Sequence, residues 1–546
     1  MTAWNVVEGD AHRLTFGYPD EAAFAAAVEK LVADRVASGI AAQDPTLWGP
    51  AAESEAAKRL SWVDLAETSR PLVADVSTLR NEFVDQGLTR VVLCGMGGSS
   101  LAPEVICGAA GVELEVLDSS NPDVVRAALA DRLDQTVVVV SSKSGGTVET
   151  DSQKRSFEAA FRDAGIDPAT RIVVVTDPGS PLDEAATEAG YRVFRADPNV
   201  GGRYSALTAF GLVPSGLAGA DIGGLLDEAA QIRPLLAEDS VDNPGLRLGG
   251  LLGLAATRGV GKLVLANAGA SYAGFGDWAE QLIAESTGKE GKGILPVVVE
   301  SLDSPNFVPS TTDSGLSTFG PGFPFTEVRP ASGFGAAVDA PLGAQMLLWE
   351  HATAVAGRVI GIDPFDQPDV ESAKAAAREM LDGGGEAPSP RFTDGAVSVF
   401  AGDWLPETVA SVTEAVTALI EALDPEQGYL AVHAYLDRHR DADLATTRPA
   451  LATRTGRPVT FGWGPRFLHS TGQYHKGGPA TGVYLQVTGE PEEDLAVPGR
   501  EFTYQEFLVA QTVGDGKVLT DKGRPVLRLH LDDLSAGLKQ LRAVLS

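Results

Sequence analysis

Residues 90–196 alternate short apolar runs with amphipathic stretches, and this pattern constrains the fold more than any other part of the chain. The runs are RVVLCG, VELEVLD, TVVVV, RIVVVTD and YRVFRA, and helical stretches lie between them. Strands that are buried on both faces have such uninterrupted apolar runs. Alternation at this spacing predicts βαβ units and a doubly wound parallel sheet, with ligands beyond the carboxyl ends of the strands.

A second α/β block begins near Gly261 with the strand KLVLANAG, and a third follows the linker-like stretch Gly383–Pro390. Residues 301–340 are rich in proline and glycine, which predicts a long surface excursion. The predicted organisation is an N-terminal helical segment at 1–60, a first domain at 61–230, a second at 231–385 and a C-terminal α/β segment at 386–546.

Composition limits the possible partners and the compartment. The formal net charge of −31 over 546 residues argues against nucleic acid as a partner. No apolar run reaches the roughly 18–20 residues of a membrane span, and the start MTAWNVVEGD lacks the features of a signal peptide. Cys94 and Cys107 lie in apolar sequence, which favours buried thiols in a reducing cytoplasm.

The stretch Ser142–Thr150 follows the apolar run Val137–Val140 and precedes a helical stretch. A loop between a strand and a helix presents free backbone N–H groups and the positive end of a helix dipole to an anion. The four hydroxyls and one ammonium of this loop favour a phosphate site, although an ordinary capped turn is the alternative. GMGGSS at 95–100 is not the dinucleotide fingerprint, so a nicotinamide cofactor is the weaker interpretation.

Three further polar residues are candidates for chemistry. Two glycines precede Arg203 and allow its backbone to approach a ligand, although a structural pair with a carboxylate is as plausible. Gln281 and Glu285 are spaced i,i+4 and share one face of a helix, where a carboxylate near the C-terminus is either exposed or functional. Lys374 lies on a predicted helix, where a lone lysine is more often solvated than catalytic.

Taken together, six motifs resemble the glucose-6-phosphate isomerase (phosphoglucose isomerase) family. The resemblance implies two doubly wound parallel-sheet sugar-isomerase (SIS) domains, to which this chain adds the C-terminal α/β segment. That segment carries HSTGQ and resembles the arrangement in isomerase modules fused to transaldolase. The motifs are GMGGSS at 95–100, SKSGGTVET at 142–150, NVGGRYS at 199–205, EQLIAESTGKEGKG at 280–293, LLWEHATAVAGRVIGIDPFDQPDVESAK at 347–374 and HSTGQYHKGGP at 469–479.

The resemblance also implies a role for each matching residue. Glu285 would move a proton between C2 and C1, and Arg203 would stabilise the enediolate. Lys374 and His469 would serve ring opening. The residues that would bind the sugar phosphate are Ser142, Lys143, Ser144, Thr147 and Thr150 for the phosphate, Gly98 and Ser99 along the sugar, and Gln281 and Gln367 for hydroxyls or phosphate.

The implied activity is the interconversion of glucose 6-phosphate and fructose 6-phosphate through a cis-enediol, in glycolysis and gluconeogenesis. The chemistry agrees with the residue types, because one carboxylate can carry the proton and an arginine can stabilise the transient negative oxygen. No cofactor and no metal are expected. The family resemblance further implies a cytoplasmic homodimer with a hexose 6-phosphate substrate and no membrane association.

Two alternatives to this activity stay open. The same residues would serve an isomerase of a related sugar phosphate, such as mannose 6-phosphate. A non-catalytic sugar-phosphate-binding SIS protein would need the phosphate loop but not Glu285, Arg203 and Lys374 together. The sequence also leaves open whether His469 acts in its own subunit or in a neighbouring one.

Overall fold

The computed structural model of the protein describes residues 3–9, 12–381 and 388–546. The strands are β1 (Ala3–Gly9), β2 (His12–Tyr18), β3 (Arg90–Gly95), β4 (Glu115–Leu117), β5 (Thr136–Ser141), β6 (Ile172–Thr176), β7 (Arg192–Arg195), β8 (Lys262–Asn267), β9 (Leu295–Val298), β10 (Ser314–Phe319), β11 (Gly335–Asp339), β12 (Phe392–Asp394), β13 (Val397–Ala401), β14 (Tyr429–Tyr435), β15 (Val459–Trp463), β16 (Gly482–Gly489) and β17 (Val526–Leu531).

The helices lie between these strands and cover their faces. They are α1 (Glu21–Ala33), α2 (Val36–Ala41), α3 (Glu53–Ala56), α4 (Leu65–Thr68), α5 (Pro71–Asp85), α6 (Leu101–Ala110), α7 (Pro122–Ala130), α8 (Val148–Asp163), α9 (Pro181–Glu188), α10 (Ala209–Ala218), α11 (Ile222–Leu236), α12 (Pro244–Thr257), α13 (Phe275–Thr287), α14 (Leu342–Ile360), α15 (Val370–Leu381), α16 (Val412–Glu421), α17 (Thr447–Thr455), α18 (Gly472–Gly477), α19 (Tyr504–Asp521) and α20 (Leu534–Leu545). Along the described residues, none of them has the length and apolar character needed to cross a bilayer.

The first sheet has the strand order β4-β3-β5-β6-β7, and every pair in it is parallel. Its central strands are buried on both faces, because α6 and α10 pack on one side of the sheet while α7 and α8 cover the other. Cys94 on β3 and Cys107 on α6 are buried free thiols. The predicted α/β class with parallel-sheet cores is confirmed.

The second sheet has the order β1-β2-β11-β10-β8-β9 and corrects two expectations from the sequence. Strands β1 and β2 pair in antiparallel fashion and β2 joins β11, so the N-terminal segment is not wholly helical. Residues 301–340 contain the interior strands β10 and β11 and are therefore not a surface excursion. Both strands consist largely of small and polar residues, and they lack the long apolar run that identifies a buried strand from sequence.

The third sheet belongs to the C-terminal segment and has the order β12-β13-β17-β16-β14-β15. Strands β15, β14, β16 and β17 are parallel, and the hairpin β12–β13 joins β17 in antiparallel fashion. Helices α16 and α20 pack on one another and on β17, which gives this segment a core of its own. The exact domain boundaries remain a prediction from the sequence.

Two arginines of the third sheet's loops join it to the first domain. Arg466, after β15, pairs with Glu104 on α6 and lies 2.7 Å from Asp118. Arg438, after β14, lies 2.8 Å from Glu104. Burial raises the pKa of the Glu104 carboxyl, but the two guanidinium groups more than offset this effect and lower the pKa to about 2. Glu104 therefore stabilises the contact between the two domains in its ionised form.

We expect this carboxylate to contribute to acid stability. Its pKa is lowered from 4.5 to about 2, so its contribution is complete above about pH 4.5 and is lost as the pH falls towards 2. Allowing for partial exposure, Glu104→Gln should lower the free energy of unfolding near neutral pH by about 2 kcal/mol and flatten its decline between about pH 4.5 and pH 2. Denaturant titrations across that range measure both effects.

The matched control for this prediction is Glu113→Gln, because Glu113 is an exposed carboxylate with a single surface partner, Arg132. Surface pairs contribute little, so this variant should keep the wild-type pH dependence. An equal slope in the wild-type protein and in Glu104→Gln would contradict the assignment.

Candidate active site

Glycine-rich loops meet at the carboxyl ends of the first sheet's strands. A short 3-10 turn at Gly97–Ser99 follows β3, and another at Gly202–Tyr204 follows β7. A Cβ atom on Gly98 would lie 2.0 Å from the carbonyl oxygen of Gly202, so any side chain there would push the two loops apart. Close backbone approach thus explains these glycines and brings Arg203 next to the first loop.

The loop between β5 and α8 has the features of an anion site. The Ser142 hydroxyl accepts from the N–H of Gly145 and lies 3.4 Å from the Thr147 hydroxyl, and the Ser144 hydroxyl accepts from the N–H of Gly146. Thr147 occupies the N-cap of α8, yet its side chain makes no capping hydrogen bond. Three hydroxyls therefore converge at the positive end of a 16-residue helix.

Two of the residues predicted to bind phosphate, Lys143 and Thr150, differ in their contacts from the other residues of this loop. The Lys143 ammonium lies 2.6 Å from Asp177 and donates to the carbonyl oxygen of Pro198, so the structure pairs it outside the loop. Thr150 lies one turn into α8, where its buried hydroxyl has no hydrogen-bond partner among the described residues. In this conformation the loop therefore offers an anion its hydroxyls and the helix terminus rather than the Lys143 ammonium.

Glu285 lies in the last turn of α13 and is 8% exposed, so its position at a helix C-terminus is not that of a solvated surface charge. Gln281, one turn earlier, donates from Nε2 to Glu285 Oε2 at 3.1 Å. The same amide nitrogen donates to the backbone oxygen of His469 at 2.8 Å. Gln281 thus joins the carboxylate to the HSTGQ motif of the C-terminal segment.

Arg203 is 4% exposed and is fixed on three sides. Its Nε donates to the Ser286 hydroxyl at 2.8 Å, and its Nη2 donates to the carbonyl oxygens of Pro364 and Asp366. The remaining nitrogen, Nη1, lies 3.6 Å from Glu285 Oε1 and 3.4 Å from Gln367 Oε1. A guanidinium held in this way presents one nitrogen to any group that contacts Glu285.

Lys289 holds the segment that binds Arg203, a function not predicted from the sequence. Its buried ammonium donates to the carbonyl oxygens of Asp363 and Asp366 and lies 2.6 Å from the Asp366 carboxylate. Burial and the nearby Arg203 charge lower the pKa of Lys289 to about 8. Lys289 and Arg203 therefore bind the backbone of one short segment, which also carries Gln367.

His469 lies at the end of a short 3-10 turn after β15, and its ring is anchored by a residue that the sequence did not single out. His469 Nε2 lies 2.8 Å from Oε1 of Glu149, in the first turn of α8. Burial raises the pKa of Glu149, but the charge and hydrogen bond of His469 outweigh burial and hold the pKa below its usual range. Glu149 lies in the motif SKSGGTVET but was not predicted to have a function, because a glutamate in the first turn of a helix ordinarily only interacts with the helix dipole.

A cavity of about 60 Å³ lies beside this pair and extends from the phosphate loop to α15. Thr147, Glu149 and His469 line it, together with Ala377 and Arg378. Lys374 lies one turn before these two residues on α15, and its side chain lies outside the described part of the structure. The cavity does not reach Glu285 or Arg203, which lie beyond the His469 backbone.

The chain is similar in sequence to known isomerases. The family model for phosphoglucose isomerase matches residues 79–290, which include the phosphate loop, Arg203 and Glu285. The chain is 32% identical over 351 residues to a glucose-6-phosphate isomerase of Synechococcus elongatus, covering 54% of this chain and 66% of that protein. It is 31% identical over 339 residues to a probable glucose-6-phosphate isomerase of Natronomonas pharaonis, covering 54% of this chain and 79% of that protein.

Two solved structures share most of the fold. A hypothetical protein from Thermus thermophilus is 25% identical with a TM-score of 0.57, covering 67% of this chain and 99% of that one. A glucose-6-phosphate isomerase from Chlamydia trachomatis is 20% identical with a TM-score of 0.58, covering 70% of this chain and 91% of that one. Given the 79% coverage of the Natronomonas pharaonis relative at 31% identity, the chain belongs to the phosphoglucose isomerase family.

Proposed function

We propose that the protein interconverts glucose 6-phosphate and fructose 6-phosphate by proton transfer through a cis-enediol. The observation that carries this proposal is the buried Glu285 carboxylate, held by Gln281 on one oxygen and facing Arg203 Nη1 on the other. An aldose–ketose conversion needs one base to move a carbon-bound proton between adjacent carbons. It also needs a fixed cation beside the oxygen that becomes negative.

In this proposal the sugar lies with its phosphate at the Ser142–Thr147 loop and with C1 and C2 at Glu285. The carboxylate takes the proton from C2 of the aldose and returns it to C1, while Arg203 Nη1 stabilises the enediolate oxygen. Binding energy at the phosphate, which does not react, then serves to position the reacting carbons. We assign Gly98, Ser99 and Gln367 to contacts with the sugar between these two ends.

Ring opening is assigned to His469, with Lys374 as its proposed helper. A neutral imidazole that donates from Nε2 to Glu149 keeps Nδ1 as the nitrogen that exchanges a proton. Glu149 fixes this tautomer. A cytoplasmic location and a homodimeric assembly remain predictions from the sequence.

A coupled assay that detects glucose 6-phosphate formed from fructose 6-phosphate tests the proposal. We expect turnover of fructose 6-phosphate and little or none of unphosphorylated fructose, because the loop binds the phosphate. Mannose 6-phosphate in a parallel reaction tests the related isomerase activity. Absence of turnover with every sugar phosphate would leave the chain as a binding protein and overturn the proposal.

Thr147→Val tests the phosphate end separately. The hydroxyl makes no capping bond, so its loss should cost α8 little stability, whereas a hydrogen bond to a charged phosphate contributes about 1.5–3 kcal/mol. We expect KM for fructose 6-phosphate to rise by about tenfold or more, measured by steady-state kinetics. Thr78→Val is the control, because that hydroxyl bonds only its own exposed helix. An unchanged KM in Thr147→Val would place the phosphate elsewhere.

A further inference from the structure

A buried chain of hydrogen bonds runs from the first domain through the C-terminal segment to His469. Ser120, in the loop after β4, donates from its hydroxyl to Gln511 Oε1 at 2.5 Å. Gln511, on α19, donates from Nε2 to Glu149 Oε1 at 2.7 Å. His469 Nε2 lies 2.8 Å from that same Glu149 oxygen. Ser120, Gln511 and Glu149 are each at most 6% exposed, and Gln511 borders the cavity that Glu149 and His469 also line.

From this arrangement we infer that Gln511 is a positioning residue for the Glu149–His469 pair, acting on ring opening without touching the substrate's reacting atoms. The inference rests on the proposed function in one respect, since it takes His469 to be the group that opens the sugar ring. Gln511 lies beyond residues 79–290, where the family model matches, so nothing in that match assigns it a role.

The orientation of the Gln511 amide follows from the chemistry of its neighbours. An ionised carboxylate only accepts hydrogen bonds, so the amide must turn its NH₂ group towards Glu149. Its oxygen then faces Ser120, whose hydroxyl donates to it. A flipped amide would place two oxygens in contact at Glu149, so the carboxylate selects the orientation of the amide, and the Ser120 hydroxyl anchors its oxygen.

The consequence for His469 is a fixed position of its carboxylate partner. Glu149 Oε1 receives the amide of Gln511 and the ring of His469 together, so the carboxylate cannot rotate without breaking both bonds. A carboxylate that orients a histidine sets which ring nitrogen carries the proton. Gln511 and His469 belong to the C-terminal segment, whereas Ser120 and Glu149 belong to the first domain. Gln511 thus makes the orientation of the His469 ring depend on the contact between these two parts of the chain.

The test compares two substrates that differ only in the need for ring opening. Fructose 6-phosphate is mainly cyclic, whereas 5-deoxyfructose 6-phosphate lacks the hydroxyl that closes the furanose ring. We expect Gln511→Leu to lower kcat about tenfold on fructose 6-phosphate and less than about twofold on the open-chain substrate, with KM nearly unchanged. Gln505→Leu on the same helix is the matched control, because the Gln505 side-chain oxygen has no hydrogen-bond partner among the described residues.

A purely structural role for Gln511 predicts a different result. Loss of packing between the domains would slow both substrates equally, and equal losses or no loss would overturn the inference. If Gln511→Leu does not fold, Ser120→Ala keeps the amide but removes its anchor. That variant should show the same preference for the open-chain substrate at about threefold, and equal losses there would likewise overturn the inference.

A spectroscopic measurement separates this inference from the proposed function. The ¹⁵N chemical shifts of the His469 ring, assigned by their absence in His469→Ala, report which nitrogen is protonated. We expect a single Nε2–H tautomer in the wild-type protein and a mixture in Gln511→Leu. Identical spectra would overturn the positioning role even if the enzyme is active, whereas absence of turnover in the wild-type protein would overturn only the proposed function.

Discussion

Glu285→Gln should abolish nearly all isomerase activity, with kcat for fructose 6-phosphate falling by about 10³-fold and KM changing little. The amide has almost the shape of the carboxylate and can still accept from Gln281 through its oxygen. It cannot, however, take a proton from carbon. Because Arg203 and the phosphate loop are untouched, the variant should bind substrate and fail only in the proton transfer, as steady-state kinetics in the coupled assay would show.

The control for this prediction is Glu290→Gln in the loop directly after α13. Glu290 is exposed and carries the same charge, so its loss reproduces the electrostatic change without touching the site. We expect wild-type kinetics from this variant. If Glu285→Gln kept a rate comparable to the wild-type protein, another group would have to be the base and the proposed mechanism would be wrong.

The first sheet could be predicted from the sequence because its strands are buried on both faces. Val137–Val140 has no polar position, and a helical stretch with a clear period follows it. Such runs indicate parallel βαβ structure without knowledge of tertiary contacts. By contrast, β10 and β11 consist largely of glycine, serine, alanine and threonine, and β2 joins this sheet by pairing with β11.

The residues of the site were predictable where a motif carries them in one stretch. Arg203 follows a glycine pair, and Gln281 with Glu285 forms an i,i+4 pair on α13, so local spacing was enough to select them. Glu149 and Gln511 were not predicted from the sequence because each forms its hydrogen bond with a residue more than 300 positions away. Contacts of that kind depend on how three sheets pack, which no local pattern reports.

The packing also bears on which subunit supplies His469. In the structure, its ring binds Glu149 and its backbone oxygen accepts from Gln281, and both partners belong to the same chain. The arginines of the third sheet's loops add half-buried ion pairs to the first domain in the same chain. Each chain therefore brings Glu285, Arg203 and His469 together without a second copy.

For this reason, co-expression of the Glu285→Gln and His469→Ala variants should not restore isomerase activity. If each site combined Glu285 of one subunit with His469 of its partner, co-expression of the two variants would produce mixed dimers with one intact site. Random pairing would then restore about a quarter of wild-type activity. With both residues supplied by one chain, every site in the mixture carries a defect, and activity should remain at the mean of the two parents. Recovery towards a quarter would show that the C-terminal segment serves the neighbouring subunit, while leaving the assignment of Glu285 and His469 intact.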